Sequence, residues 1–206
     1  MKYYEKLARK MNGGGEIDME APPLVLEDEK VYSCPIFSVH KKVVALAKKD
    51  GGREVIRREL VDHLAGVICL VHDLDTDSYL VEMEYRVGPG AFVFGLPAGL
   101  IERGEAPLEA SKREVEEETG VRPGKIVEIE QYGAFYASEG ASNDKAYLFT
   151  LHVSEIEKRP VRPDAGEFIK SAWVSFDDLL LLPIKNASSA LLVRNEQVRR
   201  RGGQIL

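Results

Sequence analysis

Glutamate dominates one stretch of the chain, since seven of the 17 residues from Glu102 to Glu118 are of this type. Like charges at helical spacing repel, so this density needs a reason. On a helix, Glu114, Glu117 and Glu118 stand at positions i, i+3 and i+4 and share one face. Glu105 lies just before that helix and can fold back toward it. Mg²⁺ and Mn²⁺ prefer such oxygen ligands, and Mg²⁺ usually shares its shell with substrate phosphates. The pattern therefore predicts a divalent metal beside a diphosphate.

A solvated acidic helix face is the alternative interpretation of these residues. Lys112 can reach Glu116 and Arg113 can reach Glu117, both at i+4, and such pairs balance part of the charge. Composition alone favours this interpretation. The spacing of the residues over a longer stretch decides between the two.

The spacing begins at Gly99 and ends at Val121. It runs Gly99, five residues, Glu105, seven residues, Arg113-Glu114-Val115, one residue, Glu117-Glu118, one residue, Gly120-Val121. At every position this resembles the Nudix hydrolase signature G-x5-E-x7-R-E-U-x-E-E-x-G-U, where U is a bulky aliphatic residue. With residue frequencies of about 7%, a chance match at one starting position is on the order of 1 in 10⁹. The resemblance therefore outweighs the solvated-face interpretation.

The resemblance implies an α+β fold, a Nudix-type α/β/α sandwich with a mixed sheet and with the signature as a loop–helix–loop. Members of this family hydrolyse a nucleoside diphosphate linked to another moiety, with a divalent metal, here Mg²⁺ or Mn²⁺. By this resemblance, Gly99 is expected to let the loop backbone approach the metal, and the carbonyl of Ala98 to be a further metal ligand. The resemblance also implies that Arg113 orients the glutamates by salt bridges. The metal-facing and catalytic glutamates carried over by position are Glu114, Glu117 and Glu118.

The flanks of the signature resemble the ADP-ribose pyrophosphatase branch of this family. Four segments carry this likeness: Glu84-Tyr85-Arg86, Leu96-Pro97-Ala98-Gly99, Ser171-Ala172-Trp173-Val174 and Ile184-Lys185-Asn186-Ala187. The likeness covers roughly residues 31–200, and only the signature is highly specific. We therefore expect a nucleoside diphosphate sugar such as ADP-ribose as the substrate.

The branch also implies a homodimer and further substrate contacts. Its N-terminal strands form a domain-swapped homodimer and part of the partner's site. Arg86 is expected to bind the diphosphate, for which a planar guanidinium is well suited, while Arg58 and Glu59 contact the nucleoside end. The alternatives are a surface salt bridge from Arg86 to Glu84 or Glu82, and an exposed strand pair for Arg58 and Glu59.

The loop after the signature departs from the branch pattern. The branch usually has a proline where this chain most closely aligns Glu139, which makes another nucleoside diphosphate sugar an alternative substrate. In relatives, a loop glutamate near this point acts as the general base or completes the metal shell. Asp144 occupies the better aligned position but is shorter by one methylene. Both Glu139 and Asp144 are catalytic candidates, and a solvent-facing loop acid is the alternative for each.

The expected reaction is attack of water on one phosphorus, giving a nucleoside monophosphate and a sugar phosphate. Other Nudix substrates, a GDP-sugar or a nucleoside triphosphate, are alternatives. A non-catalytic Nudix module that senses a nucleotide is an alternative from another class. Such sensors often lose signature carboxylates and gain a DNA-binding domain, whereas the signature here is intact.

The predicted organisation has three parts. Residues 1–30 form an N-terminal helix and a flexible connector, residues 31–61 a small antiparallel β region used for dimerisation, and residues 62–206 the Nudix domain. The apolar run at 65–73 predicts a strand buried on both faces. The segment 107–119 predicts a helix, because proline suits its first turn and Gly120 its end.

Composition limits the remaining functions. The 206 residues are 44% hydrophobic with a net charge of −6, so we expect a packed core and neither nucleic acid nor a membrane surface as a partner. Two cysteines, no apolar leader and no run of about 18 apolar residues favour a cytoplasmic protein without membrane spans. The four histidines, at 40, 63, 72 and 152, show no metal-ligand spacing. Asp73, Asp75 and Asp77 predict a hairpin turn rather than a calcium loop.

Overall fold

The computed structural model describes residues 3–162 and 168–203. These residues divide into two compact units. The first comprises the residues up to His63 together with Ser138–Asn143, and the second comprises Leu64–Ala137 together with the described residues from Asp144 onward. Each unit contains one β-sheet. The expected α+β class is thereby confirmed.

The first unit contains one helix and a three-stranded antiparallel sheet in the order β1-β2-β3. Its elements are α1 (Tyr3–Asn12), β1 (Leu24–Ser33), β2 (Phe37–Ala47) and β3 (Arg53–His63). A turn that contains Asp50 joins β2 to β3. There Gly51 adopts a positive φ of 87°, and the Asp50 side chain accepts a hydrogen bond from the Gly52 amide at 2.8 Å. The segment 138–143 attaches to β3, where the Val61 amide donates to the Ala141 carbonyl at 2.8 Å.

Strand β1 begins earlier than the predicted β region, at Leu24 rather than Val31. Leu24 pairs with Ala45 and Val25 with Val44, so the ladder to β2 extends over this segment. The prediction of a flexible connector is therefore wrong for residues 24–30. The charged residues 27–30 concealed the strand in the sequence, and pairing with β2 overrides their weak strand propensity.

The second unit is built on a seven-stranded mixed sheet. Its core order is β10-β5-β4-β9-β8, with β6 paired to β5 and β7 paired to β4. The elements are β4 (Gly66–Asp73), β5 (Ser78–Arg86), β6 (Ala91–Gly95), β7 (Ala98–Leu100), α2 (Pro107–Thr119), β8 (Val121–Tyr136), β9 (Lys145–Lys158), β10 (Ile169–Val174), α3 (Phe176–Leu181) and α4 (Ala187–Arg200). Only β4 and β9 pair in parallel among these described strands.

Helices cover both faces of this sheet. On one face, Val115 of α2 packs in a cluster with Val67 and Phe149. On the other, Leu192 of α4 packs with Leu70 in a second cluster. Strand β4 is buried along nearly its whole length, as predicted, because it contributes to both clusters. The expected α/β/α sandwich is confirmed, and it places α2 and α4 on opposite faces of one sheet.

Candidate active site

Helix α2 spans Pro107–Thr119, the predicted bounds. Pro107 lies in its first turn, where no backbone donor is required. Gly120 ends it in the left-handed region with φ +68°, and its amide donates to the Glu116 carbonyl at 2.9 Å. A Cβ at Gly120 would lie 2.2 Å from the Arg159 carbonyl oxygen, so only glycine fits this close approach. Buried Ala110 and Val115 anchor the inner face of α2, and Glu118 is buried together with them.

Arg113 lies at the centre of the carboxylate cluster. It binds Glu105 in a bidentate manner, with Nε to Oε1 at 2.9 Å and Nη2 to Oε2 at 3.0 Å. Its Nη1 donates to Glu114 at 2.8 Å and to Glu117 at 2.9 Å, and Nη2 also donates to the Leu100 carbonyl at 2.9 Å. These five bonds match the five N–H groups of a guanidinium. Hydrogen bonds from Arg113 hold the pKa of the Glu105 carboxyl below its usual range. The carboxylates next to Arg113 are thus held in fixed positions.

Glu114 lies directly against the backbone of Gly99. A Cβ built on Gly99 would lie 2.0 Å from Cδ of Glu114 and 2.2 Å from its Oε1. The side chain of Glu114 is 14% exposed. Gly99 therefore provides the space that this carboxylate occupies next to β7.

Glu118 is buried at the inner edge of the same cluster, with 5% of its surface exposed. Its Oε2 accepts a hydrogen bond from the Ala98 amide at 3.1 Å. Ala98 begins strand β7 and pairs with Ile68 of β4. The main chain at Ala98 thus lies within hydrogen-bond reach of the Glu118 carboxylate.

A cavity of about 370 Å³ opens beside Ala98. Its polar wall combines charged residues of β5 with groups near the start of α4, namely Glu82, Glu84, Arg86, Lys185, Asn186 and Ser189. Glu82 is only 4% exposed. Arg86 forms an ion pair with Glu84 at 2.7 Å, which is the contact foreseen in the alternative interpretation, but both residues also face the cavity. The cavity is large enough for part of a nucleotide-sized ligand.

Of the polar residues on this cavity wall, only Arg86 was predicted as a site residue, and Glu82 and Lys185 are among those that sequence reasoning missed. Glu82 lies within an apolar strand, and an acid in such a run is a signal that could have been used. Lys185 was noted in the sequence only as part of a segment that resembles the ADP-ribose pyrophosphatase branch. Its position on the cavity wall depends on how α4 packs on the sheet, which no local pattern specifies.

The structure describes the local surroundings of four other predicted residues. Asp144 belongs to the second unit and precedes β9, where its carbonyl accepts from the Ala137 amide at 3.0 Å; it does not line the described cavity. Glu139 is exposed and belongs to the first unit. Arg58 and Glu59 are exposed on β3, opposite Lys42 and Lys41. Their roles stay predictions.

The residues present fit a divalent cation. Glu114, Glu117 and Glu118 offer hard carboxylate oxygens, and the main chain at Ala98 adjoins them. Gly99 leaves room for a carboxylate that a side chain would displace. Such an oxygen-only donor set suits Mg²⁺ or Mn²⁺.

Comparison with known proteins agrees with this geometry. The NUDIX domain model matches residues 62–194 of the chain. The chain belongs to the NUDIX domain family. The Nudix resemblance of the signature is therefore confirmed, and the matched region includes the whole signature and the cavity.

Several relatives of this Nudix protein are named as pyrophosphatases. An ADP-ribose pyrophosphatase of Bacillus subtilis (strain 168) is 28% identical over 160 residues, which are 76% of this chain and 83% of that protein. A GDP-mannose pyrophosphatase of Shigella flexneri serotype 5b (strain 8401) is 24% identical over 184 residues, 85% of this chain and 88% of that protein. The crystal structure of an ADP compounds hydrolase has the same fold, with a TM-score of 0.63 at 23% identity, covering 88% of this chain and 97% of that one. The chain is thus a Nudix hydrolase similar to ADP-ribose pyrophosphatases.

Among the helices of the described residues, none combines the length and apolar character needed to cross a bilayer.

Proposed function

We propose that this protein hydrolyses the diphosphate bond of a nucleoside diphosphate sugar such as ADP-ribose, giving a nucleoside monophosphate and a sugar phosphate. The observation that carries the proposal is the intact carboxylate cluster around Arg113 beside a cavity that contains a second arginine. The relatives named for ADP-ribose and GDP-mannose support this substrate class.

The signature glutamates and the Ala98 carbonyl would hold Mg²⁺ or Mn²⁺. When bound, the cation lowers the pKa of water and neutralises charge on phosphate oxygens. Arg113 orients Glu114 and Glu117 through the hydrogen bonds described above. The side chain of Arg86, on the cavity wall, binds the diphosphate.

In the reaction, water attacks one phosphorus and the bond from that phosphorus to the bridging oxygen breaks. A carboxylate accepts the proton of the attacking water. Glu139 and Asp144 are the two candidates for this base. Comparison of Glu139→Gln with Asp144→Asn distinguishes them, because only loss of the base lowers kcat strongly while the metal affinity is retained.

The test is turnover of ADP-ribose with Mg²⁺, followed by release of AMP, beside GDP-mannose and other nucleoside diphosphate sugars. Glu118→Gln serves as the control and should nearly abolish turnover while the protein stays folded. Efficient cleavage of another sugar nucleotide in place of ADP-ribose would assign a different substrate and leave the proposed mechanism unchanged. If folded, metal-loaded protein turned over none of these compounds, the result would contradict the proposal and favour a triphosphate substrate or a sensor.

A homodimer through the N-terminal strands and a cytoplasmic location complete the proposal. Strand β1 is exposed along its entire length and carries exposed Leu24, Val25, Leu26 and Tyr32. Apolar residues on an exposed strand are typical of an interaction surface. Light scattering should give twice the chain mass of 22.9 kDa, and Leu26→Lys should lower it toward the monomer. A wild-type protein that is monomeric at working concentration would refute the dimer.

A further inference from the structure

One charged residue of the cavity wall is buried, and the proposed mechanism does not use it. Glu82 of β5 is 4% exposed, with buried Val81 before it in the strand and exposed Met83 after it. It lines the cavity of about 370 Å³ beside Ala98. Burial of a carboxylate costs free energy that an apolar side chain at the same position would not cost. A buried acid on a cavity wall is therefore a candidate for ligand recognition.

Charge and burial change together along β5. Glu82, Glu84 and Arg86 occupy alternate positions of the strand, so they share one face. Glu82 is buried, the Glu84 side chain is 13% exposed and the Arg86 side chain is 53% exposed. Four residues of strand, about 13 Å, separate Glu82 from Arg86. The cavity therefore has a buried acid at one end of this row and a solvent-exposed arginine at the other.

The start of α4 adds positive character to the exposed part of the wall. Lys185 and Asn186 are exposed, and both line the cavity. Asn186 Oδ1 accepts a hydrogen bond from the Ser189 amide at 2.9 Å and thereby caps the helix. The first turn of an α-helix carries a partial positive charge. A diphosphate is attracted to these exposed groups and repelled by the carboxylate of Glu82.

Open space adjoins Glu82 inside the cavity. Glu82 pairs directly with Gly95 of β6, and both residues line the cavity. Side chains of directly paired residues lie on one face of the sheet, about 4.5–5.5 Å apart at Cβ. A Cβ built on Gly95 would meet nothing within 4 Å. The space that a side chain at position 95 would fill is therefore open to a ligand group beside the carboxylate.

The wall around this space is aliphatic. Ile68 is buried, Val93 is partly buried, and both line the cavity. Phe94 is the one aromatic residue among the described lining residues. It lies between Val93 and Gly95 in β6, so its ring points to the other face of the strand. Stacking on aromatic rings contributes much of the binding of a nucleobase, whereas a sugar binds through its hydroxyl groups. This part of the cavity therefore suits a sugar better than a base.

We propose that Glu82 is a specificity-determining residue whose carboxylate accepts hydrogen bonds from hydroxyl groups of the sugar linked to the diphosphate. An ionised carboxylate is an acceptor only, and its two oxygens can take more than one donor. Neighbouring sugar hydroxyls supply two such donors. Hydrogen bonds to a charged acceptor are strong, and an apolar environment strengthens them further. This role rests on the proposed function, since a nucleoside diphosphate sugar must occupy the cavity.

The arrangement gives the substrate one direction in the cavity. The sugar lies between the carboxylate of Glu82 and the backbone of Gly95, and the diphosphate extends toward Arg86. A ligand that has a phosphate but no sugar makes only the second of these contacts. The contacts of the sugar and of the phosphate can therefore be measured separately.

The test compares the binding of ribose 5-phosphate and of inorganic phosphate to the full-length protein with Mg²⁺, by isothermal titration calorimetry. Glu82→Gln keeps the size of the side chain and removes its charge. It should weaken the binding of ribose 5-phosphate at least about tenfold, and the affinity for inorganic phosphate should stay unchanged or rise. A purely structural role would lower both affinities together. Glu128→Gln, at an exposed glutamate of β8 outside the described lining of the cavity, is the control and should bind both ligands as the wild type does.

A second variant fills the space and leaves the charge in place. Gly95→Val puts a side chain where the sugar is proposed to lie, so it should also weaken ribose 5-phosphate and spare inorganic phosphate. The melting temperature should stay near that of the wild type, because a Cβ there meets no other atom within 4 Å and valine suits a strand. Wild-type affinity for ribose 5-phosphate in both Gly95→Val and Glu82→Gln would overturn the proposal, as would an equal loss of both ligands in Glu82→Gln.

Steady-state kinetics with ADP-ribose separate this role from the proposed function. In Glu82→Gln, KM should rise about tenfold while kcat changes less. Turnover by the wild type together with an unchanged KM in Glu82→Gln would overturn the role of Glu82 and leave the hydrolase function standing. Absence of turnover by the wild type would contradict the proposed function, and the two binding measurements would still decide whether Glu82 binds a sugar.

Discussion

The Glu114 carboxylate occupies the space that a side chain at position 99 would take, since a Cβ on Gly99 would lie 2.0 Å from Glu114 Cδ. Gly99→Ala must therefore displace this carboxylate. The displaced atoms are the end of a flexible side chain, so we expect a folded protein with kcat lowered at least about 100-fold, in line with the cost of misplacing a catalytic group. Gly88→Ala, at a glycine with open space around it, is the control. Near wild-type turnover of Gly99→Ala would contradict the role of Glu114.

The Glu105–Arg113 pair predicts a pH-dependent stability difference. Hydrogen bonds from Arg113 lower the pKa of Glu105 from its ordinary 4.5. The stabilisation from a lowered carboxyl pKa is complete above the unfolded value and is lost as the pH falls through the folded value. The Glu105→Gln variant should therefore have a lower melting temperature than the wild type at neutral pH, and the difference between the two melting temperatures should narrow below pH 4.5. Melting temperatures across this range provide the check, and a gap of constant size would contradict it.

Replacement of the cationic side chains on the cavity wall should weaken substrate binding more than it slows turnover. Arg86 and Lys185 line the cavity beside Ala98. Loss of a charge-assisted contact to a phosphate is expected to raise KM about tenfold. Steady-state kinetics of Arg86→Ala and Lys185→Ala measure this, with Lys170→Ala of exposed β10 as the control. If KM stays unchanged in both variants, the diphosphate does not bind in this cavity.

The end of α2 should tolerate no side chain. Gly120 has φ +68°, and a Cβ would lie 2.2 Å from the Arg159 carbonyl oxygen. Gly120→Ala should lower the free energy of unfolding by about 2–4 kcal/mol, because backbone strain and a steric clash add. Gly133 also has a positive φ, +89°, but open space around it. Gly133→Ala therefore measures the backbone strain without the clash and should lower the free energy of unfolding by only about 1 kcal/mol. Urea denaturation of both variants checks this; equal losses would mean that the clash relaxes freely.

The most reliable predictions from the sequence concern residues that are close along the chain. The bounds of α2 follow from Pro107, Gly120 and the spacing between them, and the contacts of Arg113 with Glu114 and Glu117 lie within one helix. The burial of β4 follows from its apolar run. The early start of β1 was missed because its charged residues depend on pairing with β2 rather than on their own propensity.

The sequence by itself determined the family, the helix and the carboxylate cluster, because each depends on types and spacings within a few turns of chain. Tertiary structure alone decided that Glu82 and Lys185 share a cavity wall. It also decided that the Nδ1 atoms of His72 and His152, which are 80 residues apart in the chain, lie 2.9 Å from each other. Parallel pairing of β4 with β9 sets that register. The free energy of such pairing comes from burial between distant segments, which leaves no local period in the sequence.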